Sequence, residues 1–189
     1  MLTHKGTQTI KTPRMVLRRF CSNDAQKMFD NWANDERVTQ FLTWEPHRTV
    51  EDTKNVLSAW EENYKNDNYY HWALEFKGEP VGSINIADVS DRNHFGIAGY
   101  CLGFDYWGKG LMTEALESVI DYMFIEIGLH KVFATHDSAN IGSGMVMLKA
   151  GMTREGVMRE HYLRKDGRYA DLQVCSILRS EWETRHSFK

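Results

Sequence analysis

Apolar and polar positions along the chain change period several times, and each change predicts an element. Residues alternate around Met15, Val16 and Leu17, so Arg14–Phe20 reads as a first strand. Ser22-Asn-Asp24 is a helix start signal, and Ala25, Met28, Phe29 and Trp32 then recur at helical spacing. Asp35–Trp44 is short and mixed, enough for a turn or two of helix. From Thr49 a second helix carries Val56, Leu57, Trp60 and Tyr64 on one face. Alternation returns in Tyr70–Phe76, Val81–Val89 and His94–Gly103, separated by the turn signals Lys77-Gly-Glu-Pro80 and Asp91-Arg-Asn93. Three consecutive strands on short turns predict an antiparallel meander.

The strongest helical stripe runs through Leu111–Ile127, with Gly128 where a C-terminal cap glycine belongs. His130–Thr135 predicts a strand and Asn140–Ala150 a helix closed by Gly151. Met152–Leu163 and Tyr169–Leu178 predict two strands joined at Arg164-Lys-Asp-Gly-Arg168. The expected order is β-α-α-β-β-β-α-β-α-β-β. That is a mixed α/β (α+β) fold, with a largely antiparallel sheet of about seven strands flanked by helices. No repeat, low-complexity tract or linker interrupts it.

Composition narrows the partners. The 189 residues suit one domain with a sizeable core. A formal net charge of −3 argues against nucleic-acid binding through a broad basic surface. Cys21, Cys101 and Cys175 are odd in number and widely spaced, which fits neither a metal site nor a disulfide framework. The polar N-terminus and the lack of a long apolar run give no sign of a signal peptide or membrane span. A cytoplasmic protein, monomer or homodimer, is expected, with no metal.

The chemistry concentrates after the third meander strand. Gly103-Phe-Asp-Tyr-Trp-Gly108-Lys109-Gly110 is a glycine loop joining a strand to a helix, an arrangement that points backbone N–H groups and a helix N-terminus at an anion. It nearly matches a nucleotide P-loop. Gly110 stands where that motif needs a magnesium-holding Ser or Thr, and the preceding strands are an antiparallel meander. A nucleotide hydrolase is therefore disfavoured. The glycines alone are equally compatible with a tight turn. A second motif lies downstream, Asn140-Ile-Gly-Ser143 with Lys149-Ala-Gly151.

Together these motifs resemble the GNAT N-acetyltransferase superfamily, and within it the RimJ/RimL-like ribosomal-protein acetyltransferases. Further matches are Thr12-Pro-Arg-Met-Val-Leu-Arg18, Trp44-Glu-Pro-His47 with Glu51-Asp52, Arg154-Glu-Gly-Val-Met-Arg159, Gly167-Arg-Tyr169-Ala-Asp171 and Glu181-Trp182. The resemblance covers residues 12–183 and implies a single GNAT domain there. Two positions depart from the superfamily. Asp105 stands at the usual Gln/Arg of the loop, and Met147 at the tyrosine that protonates the departing thiolate in many relatives.

The resemblance implies acetyl-CoA as donor and direct attack by an amine. Trp107, Gly108, Lys109, Gly110, Leu111, Met112 and Thr113 would hold its pyrophosphate. The strand at Tyr100, Cys101 and Leu102 would offer a splayed edge to the pantetheine amides, and the N–H near Leu102 would receive the carbonyl oxygen. Asn140 would hold the cofactor arm or cap its helix, and both roles are compatible. Ser143, or an ordered water, would protonate sulfur. Asp88, His136 and Glu160 are base candidates by their places near strand ends. Cys101 reads as packing rather than as an acetylated nucleophile, for want of a partnered base. Trp44–His47 and Tyr69–Trp72 read equally as acceptor-site lining or as core and turn residues.

The expected acceptor is a protein N-terminal α-amine, ribosomal or similar. The alternatives are a small amine such as an antibiotic, polyamine or amino acid, or a CoA-binding regulator without turnover.

Overall fold

Four short turns each lay a strand beside the next and build most of the sheet. The computed structural model describes residues 1–187. After a two-residue strand β1 (Ile10–Lys11), β2 (Met15–Arg18) pairs antiparallel with β3 (Tyr70–Phe76), β3 with β4 (Glu79–Ser90), and β4 with β5 (Phe95–Leu102). Lys77 and Gly78 both have positive φ, 54° and 81°, the backbone a tight two-residue hairpin requires. α4 (Leu111–Tyr122) carries the chain across a face to β6 (Lys131–Asp137), which therefore lies parallel to β5. After α5 (Ile141–Lys149), β7 (Thr153–Leu163) takes the outer edge and β8 (Tyr169–Leu178) returns between it and β6. The strand order is β1-β2-β3-β4-β5-β6-β8-β7.

The expected fold class holds, with differences at the ends. The sheet has eight strands, because β1 adds two residues too few to show a period. A closing helix α6 (Arg179–His186) follows β8 directly. It is almost wholly polar, so no apolar stripe announced it. The helix expected after Ser22 is in pieces: a 3-10 turn at Ser22–Asp24, α1 (Ala25–Met28) and a wider turn at Phe29–Ala33. α2 (Glu36–Thr39) is the expected single turn, and α3 (Val50–Asn63) starts on a Thr49–Asp52 capping box.

Two cores cover the two faces of the sheet. Leu116, Val119, Ile120 and Phe124 from α4 and its extension pack with Met147 and Ala150 of the α5 region on Leu17, Trp72, Ile84 and Val132. On the other face, Phe20, Met28, Trp32, Leu57 and Tyr64 pack on Ala73, with Cys101 against them. No helix among the described residues is long and apolar enough to cross a membrane.

Candidate active site

β5 and β6 stay together for only three pairs, ending at Ile97 and Phe133. Beyond these, each strand is paired on its far side alone, with β4 or with β8. The phase of the pairing says which backbone groups face the gap. Gly103 N–H donates to Val81 O, which makes Leu102–Gly82 a non-hydrogen-bonded pair, and Tyr100–Ile84 likewise two residues earlier. The N–H groups of Tyr100 and Leu102 therefore point away from β4, into the gap. Ser138 N–H donates to Asp171 O, which places the backbone of Thr135 and Asp137 on the opposite lip. The gap is an open strand edge on both sides. Gly82 permits the close β4–β5 approach, since a Cβ there would lie 2.4 Å from Cys101 O.

A cavity of about 450 Å³ occupies this gap. One end is the glycine loop. Gly108 and Gly110 have φ of 71° and 74°, and no side chain caps α4. The first N–H groups of α4 thus open into the cavity beside Gly108, Gly110, Met112 and Thr113. Trp107 Nε1 donates to Leu102 O at 2.7 Å, which ties the loop to the strand and occupies that carbonyl. Uncapped donors beside glycines with nothing within 4 Å of a Cβ at Gly108 fit a pyrophosphate. Two expected loop residues are placed differently. The Lys109 ammonium turns back to donate to Asp105 O at 2.7 Å, and the Leu111 side chain lies in the core; neither lines the cavity.

The middle is walled by α5. Asn140 caps it, its Oδ1 accepting from Ser143 N–H at 3.1 Å, and both side chains line the cavity. Tyr100 reaches across the gap: its hydroxyl donates to Ser143 O at 3.0 Å and lies 3.0 Å from Ser143 Oγ. Burial pushes the Tyr100 phenol above its ordinary pKa, so it stays protonated. Met147, one turn beyond Ser143, is buried in the core and also lines the cavity. Cys101 spends its backbone on Ser83 of β4, and its thiol lies 3.5 Å from Ser83 Oγ; burial raises its pKa, the reverse of an activated nucleophile.

Of the three base candidates only His136 lines the cavity. Its Nδ1 lies 2.8 Å from Asp137 O, so Nδ1 carries the proton and the Nε2 lone pair is left without a partner. Gly144 makes room for the ring, because a Cβ there would meet Nε2 at 2.7 Å. Asp88 and Glu160 sit exposed at irregularities of β4 and β7, away from the cavity.

A further wall, which no motif suggested, is Val38, Phe41 and Leu42; beside it Arg37 lies 3.8 Å over the ring of Phe104, at the start of the glycine loop. The β7–β8 turn holds this wall, Lys165 Nζ donating to Thr39 O and Trp44 O and Tyr162 to Leu42 O. Arg164 grips both oxygens of Asp137 at 2.6 Å, closing the end of β6 onto the same turn. Trp44–His47 and Tyr69–Trp72 line none of it. Trp44 packs against the second core, and Tyr70, His71 and Trp72 are buried in the sheet. Among the described residues no cluster of His, Cys, Asp and Glu could hold a metal.

A family model for the acetyltransferase (GNAT) domain matches residues 14–153. The chain belongs to the GNAT family. The chain is 27% identical over 183 residues to the [ribosomal protein uS5]-alanine N-acetyltransferase of Escherichia coli, covering 92% of each chain. It is 30% identical to the uncharacterized N-acetyltransferase YnaD of Bacillus subtilis, over 92% of this chain and 98% of that one. The crystal structure of a GNAT-family acetyltransferase from Bacillus anthracis superposes with a TM-score of 0.79 at 26% identity, over 92% and 99% of the two chains. The protein is thus an acyltransferase of the GNAT N-acetyltransferase type.

Proposed function

We propose that this enzyme transfers the acetyl group of acetyl-CoA to a protein N-terminal α-amine by direct attack. One observation carries the reading. The gap between β5 and β6 is lined both by an uncapped helix N-terminus and by an apolar wall. One cavity thus offers N–H donors to a pyrophosphate and apolar contact to a chain end. When bound, the cofactor supplies an acetyl group activated as a thioester.

The chain's own groups do the rest. N–H groups from Gly108 to Thr113 hold the pyrophosphate, and the free edge at Tyr100 pairs with the pantetheine amides. Leu102 N–H donates to the carbonyl oxygen as that oxygen gains charge; such a donor is worth ~3 kcal/mol of barrier. Ser143 Oγ gives its proton to the departing sulfur, and the single Tyr100 hydroxyl proton turns from Ser143 O to Ser143 Oγ, 3.0 Å away, to replace it. This pair stands in for the tyrosine that Met147 replaces. His136, the one base candidate that borders the cavity, accepts the amine's proton through a water in this reading, since its Nε2 is buried against Gly144. Tyr100→Phe is expected to lower kcat about tenfold to hundredfold with little change in the acetyl-CoA KM. An unchanged kcat removes Tyr100 from the proton path.

The cavity's charge supports a peptide end over a polyamine. Asp137 is the only carboxylate in its lining among the described residues, and Arg164 holds both its oxygens. A polycation finds no free counter-charge there. A thiol-release assay with acetyl-CoA tests this over alanine- and serine-started peptides, their N-blocked forms, spermidine, amino acids and an aminoglycoside. Turnover is expected with free peptide N-termini and is lost on blocking. A higher kcat/KM for spermidine than for every peptide overturns the acceptor assignment.

A further inference from the structure

Arg14 lies outside the cavity, in the turn between β1 and β2, yet it bonds to the loop that borders the cavity. Its Nη1 donates to Lys109 O at 2.8 Å, and its Nε donates to Glu114 Oε2 at 2.6 Å. Glu114 Oε1 accepts from Arg14 N–H at 2.9 Å and from Thr12 Oγ1 at 2.6 Å. Glu114 belongs to the first turn of α4, and its own N–H donates to Gly110 O. One guanidinium thus clamps the Lys109 carbonyl, two residues before the helix, to the first carboxylate inside it.

The clamp has a consequence for the cavity side. A trans peptide points its C=O and the following N–H in opposite directions, and the described chain has no cis peptide. Holding Lys109 O outward against Arg14 therefore turns Gly110 N–H inward, and Gly110 lines the cavity. Gly110 has φ 74°, a region from which the plane swings readily when nothing holds it. Arg14 also answers a charge problem. A carboxylate in the first turn of α4 repels an anion bound at that helix end, and Arg14 draws the Glu114 carboxylate away and neutralises it.

We propose that Arg14 is a positioning residue for the cofactor: through Lys109 O and Glu114 it sets the peptide plane that presents Gly110 N–H to the pyrophosphate. The inference rests on the reading of the glycine loop as the pyrophosphate site.

Calorimetric titration separates the two. The probes are acetyl-CoA and S-acetyl-pantetheine, which lacks the pyrophosphate. Arg14→Gln is expected to weaken acetyl-CoA binding about tenfold and to leave S-acetyl-pantetheine binding unchanged. Arg14→Lys is expected to be as weak as Arg14→Gln, because an ammonium cannot span carboxylate and carbonyl as the planar fork does. Full recovery by Arg14→Lys overturns the clamp in favour of a simple charge effect, and equal losses for both probes overturn it in favour of general damage. Should Arg14→Gln not fold, Glu114→Gln keeps the shape and weakens the clamp. It should show a smaller loss confined to acetyl-CoA, and no loss counts against the proposal. Gly108→Val reports on the loop itself: acetyl-CoA binding that survives this change defeats the loop reading, whereas its loss beside an unaffected Arg14→Gln defeats only the clamp.

Discussion

Replacing Gly108 with valine is expected to weaken acetyl-CoA binding about hundredfold, with a much smaller effect on folding. Gly108 sits at φ 71° beside Trp107 on the cavity rim, and a Cβ there has no neighbour within 4 Å. The free protein therefore has space for the side chain, and the folding cost is the left-handed backbone, roughly 1–2 kcal/mol. Binding suffers twice. The branched side chain stands where the pyrophosphate approaches, and relief of the strain turns neighbouring N–H groups away from it. Losing two charge-assisted bonds of roughly 1.5 kcal/mol each gives the hundredfold figure. Titration calorimetry with acetyl-CoA checks the affinity, and a thermal melt without ligand checks the fold. A dissociation constant within threefold of the parent's removes the loop from the cofactor site.

Asp24→Ala is expected to cost about 3 kcal/mol of stability, a fall in Tm of roughly 6–12 °C. Asp24 is 5% exposed. It takes both Nη groups of Arg18 at 2.8 Å and the Cys21 N–H at 2.9 Å, so it ties β2 to the start of the first helical segment. Removing it leaves a half-buried guanidinium with Glu75 as its one remaining carboxylate and Arg19 O as a neutral partner. Burial alone would push the carboxyl pKa up; Arg18 and the Cys21 N–H outweigh it and hold the pKa below the ordinary value. The sign of the pH effect follows. A carboxyl with a folded pKa below its unfolded one, ~3.9, stabilises fully above that value. The stabilisation fades as pH falls through the folded pKa. The gap in Tm between parent and Asp24→Ala should be widest near neutrality and shrink in acid below about pH 4. A gap that is constant from pH 7 to acid unfolding contradicts the ion pair as its source.

Much of the scaffold was legible in one dimension, and the exceptions have particular causes. The stripe of Leu111–Ile127 is a local periodicity and folds as helix throughout, though Met123–Ile127 widens to a π turn. β3 to β5 form where their apolar residues predict, β3 and β4 being buried on both faces over most of their length. β1 is too short to show a period, and α6 has no apolar stripe to reveal it. The segment Phe29–Ala33 opens to a wider turn within a stripe that reads as plain helix. Tertiary packing chose that turn, and periodicity does not encode it.

The candidate site divides the same way. Gly108, Gly110, Asn140 and Ser143 stood out because unusual backbone and capping chemistry is written into residue type. Tyr100 was expected to lend only its backbone, and the fold gives its hydroxyl to Ser143, 43 residues away. Lys109 was read as a cation for the ligand, and the fold turns it back on Asp105 O. Arg14 lay in a matching motif with no role attached, and its bonds to Lys109 and Glu114 span about half the chain.

The sequence by itself determined the mixed α/β order, the anion-ready glycine loop and the capped helix that flanks the gap. Each depends on neighbours within a turn or two, where φ/ψ preference and hydrophobic period act directly. Only the tertiary structure decided that β5 and β6 part after three pairs, which N–H groups face the opening, and which side chains meet across it. Those are matters of register between strands distant in sequence, β4 with β5, β5 with β6 and β6 with β8. A one-residue slip there reverses which way every backbone group and side chain points, and no local pattern records it.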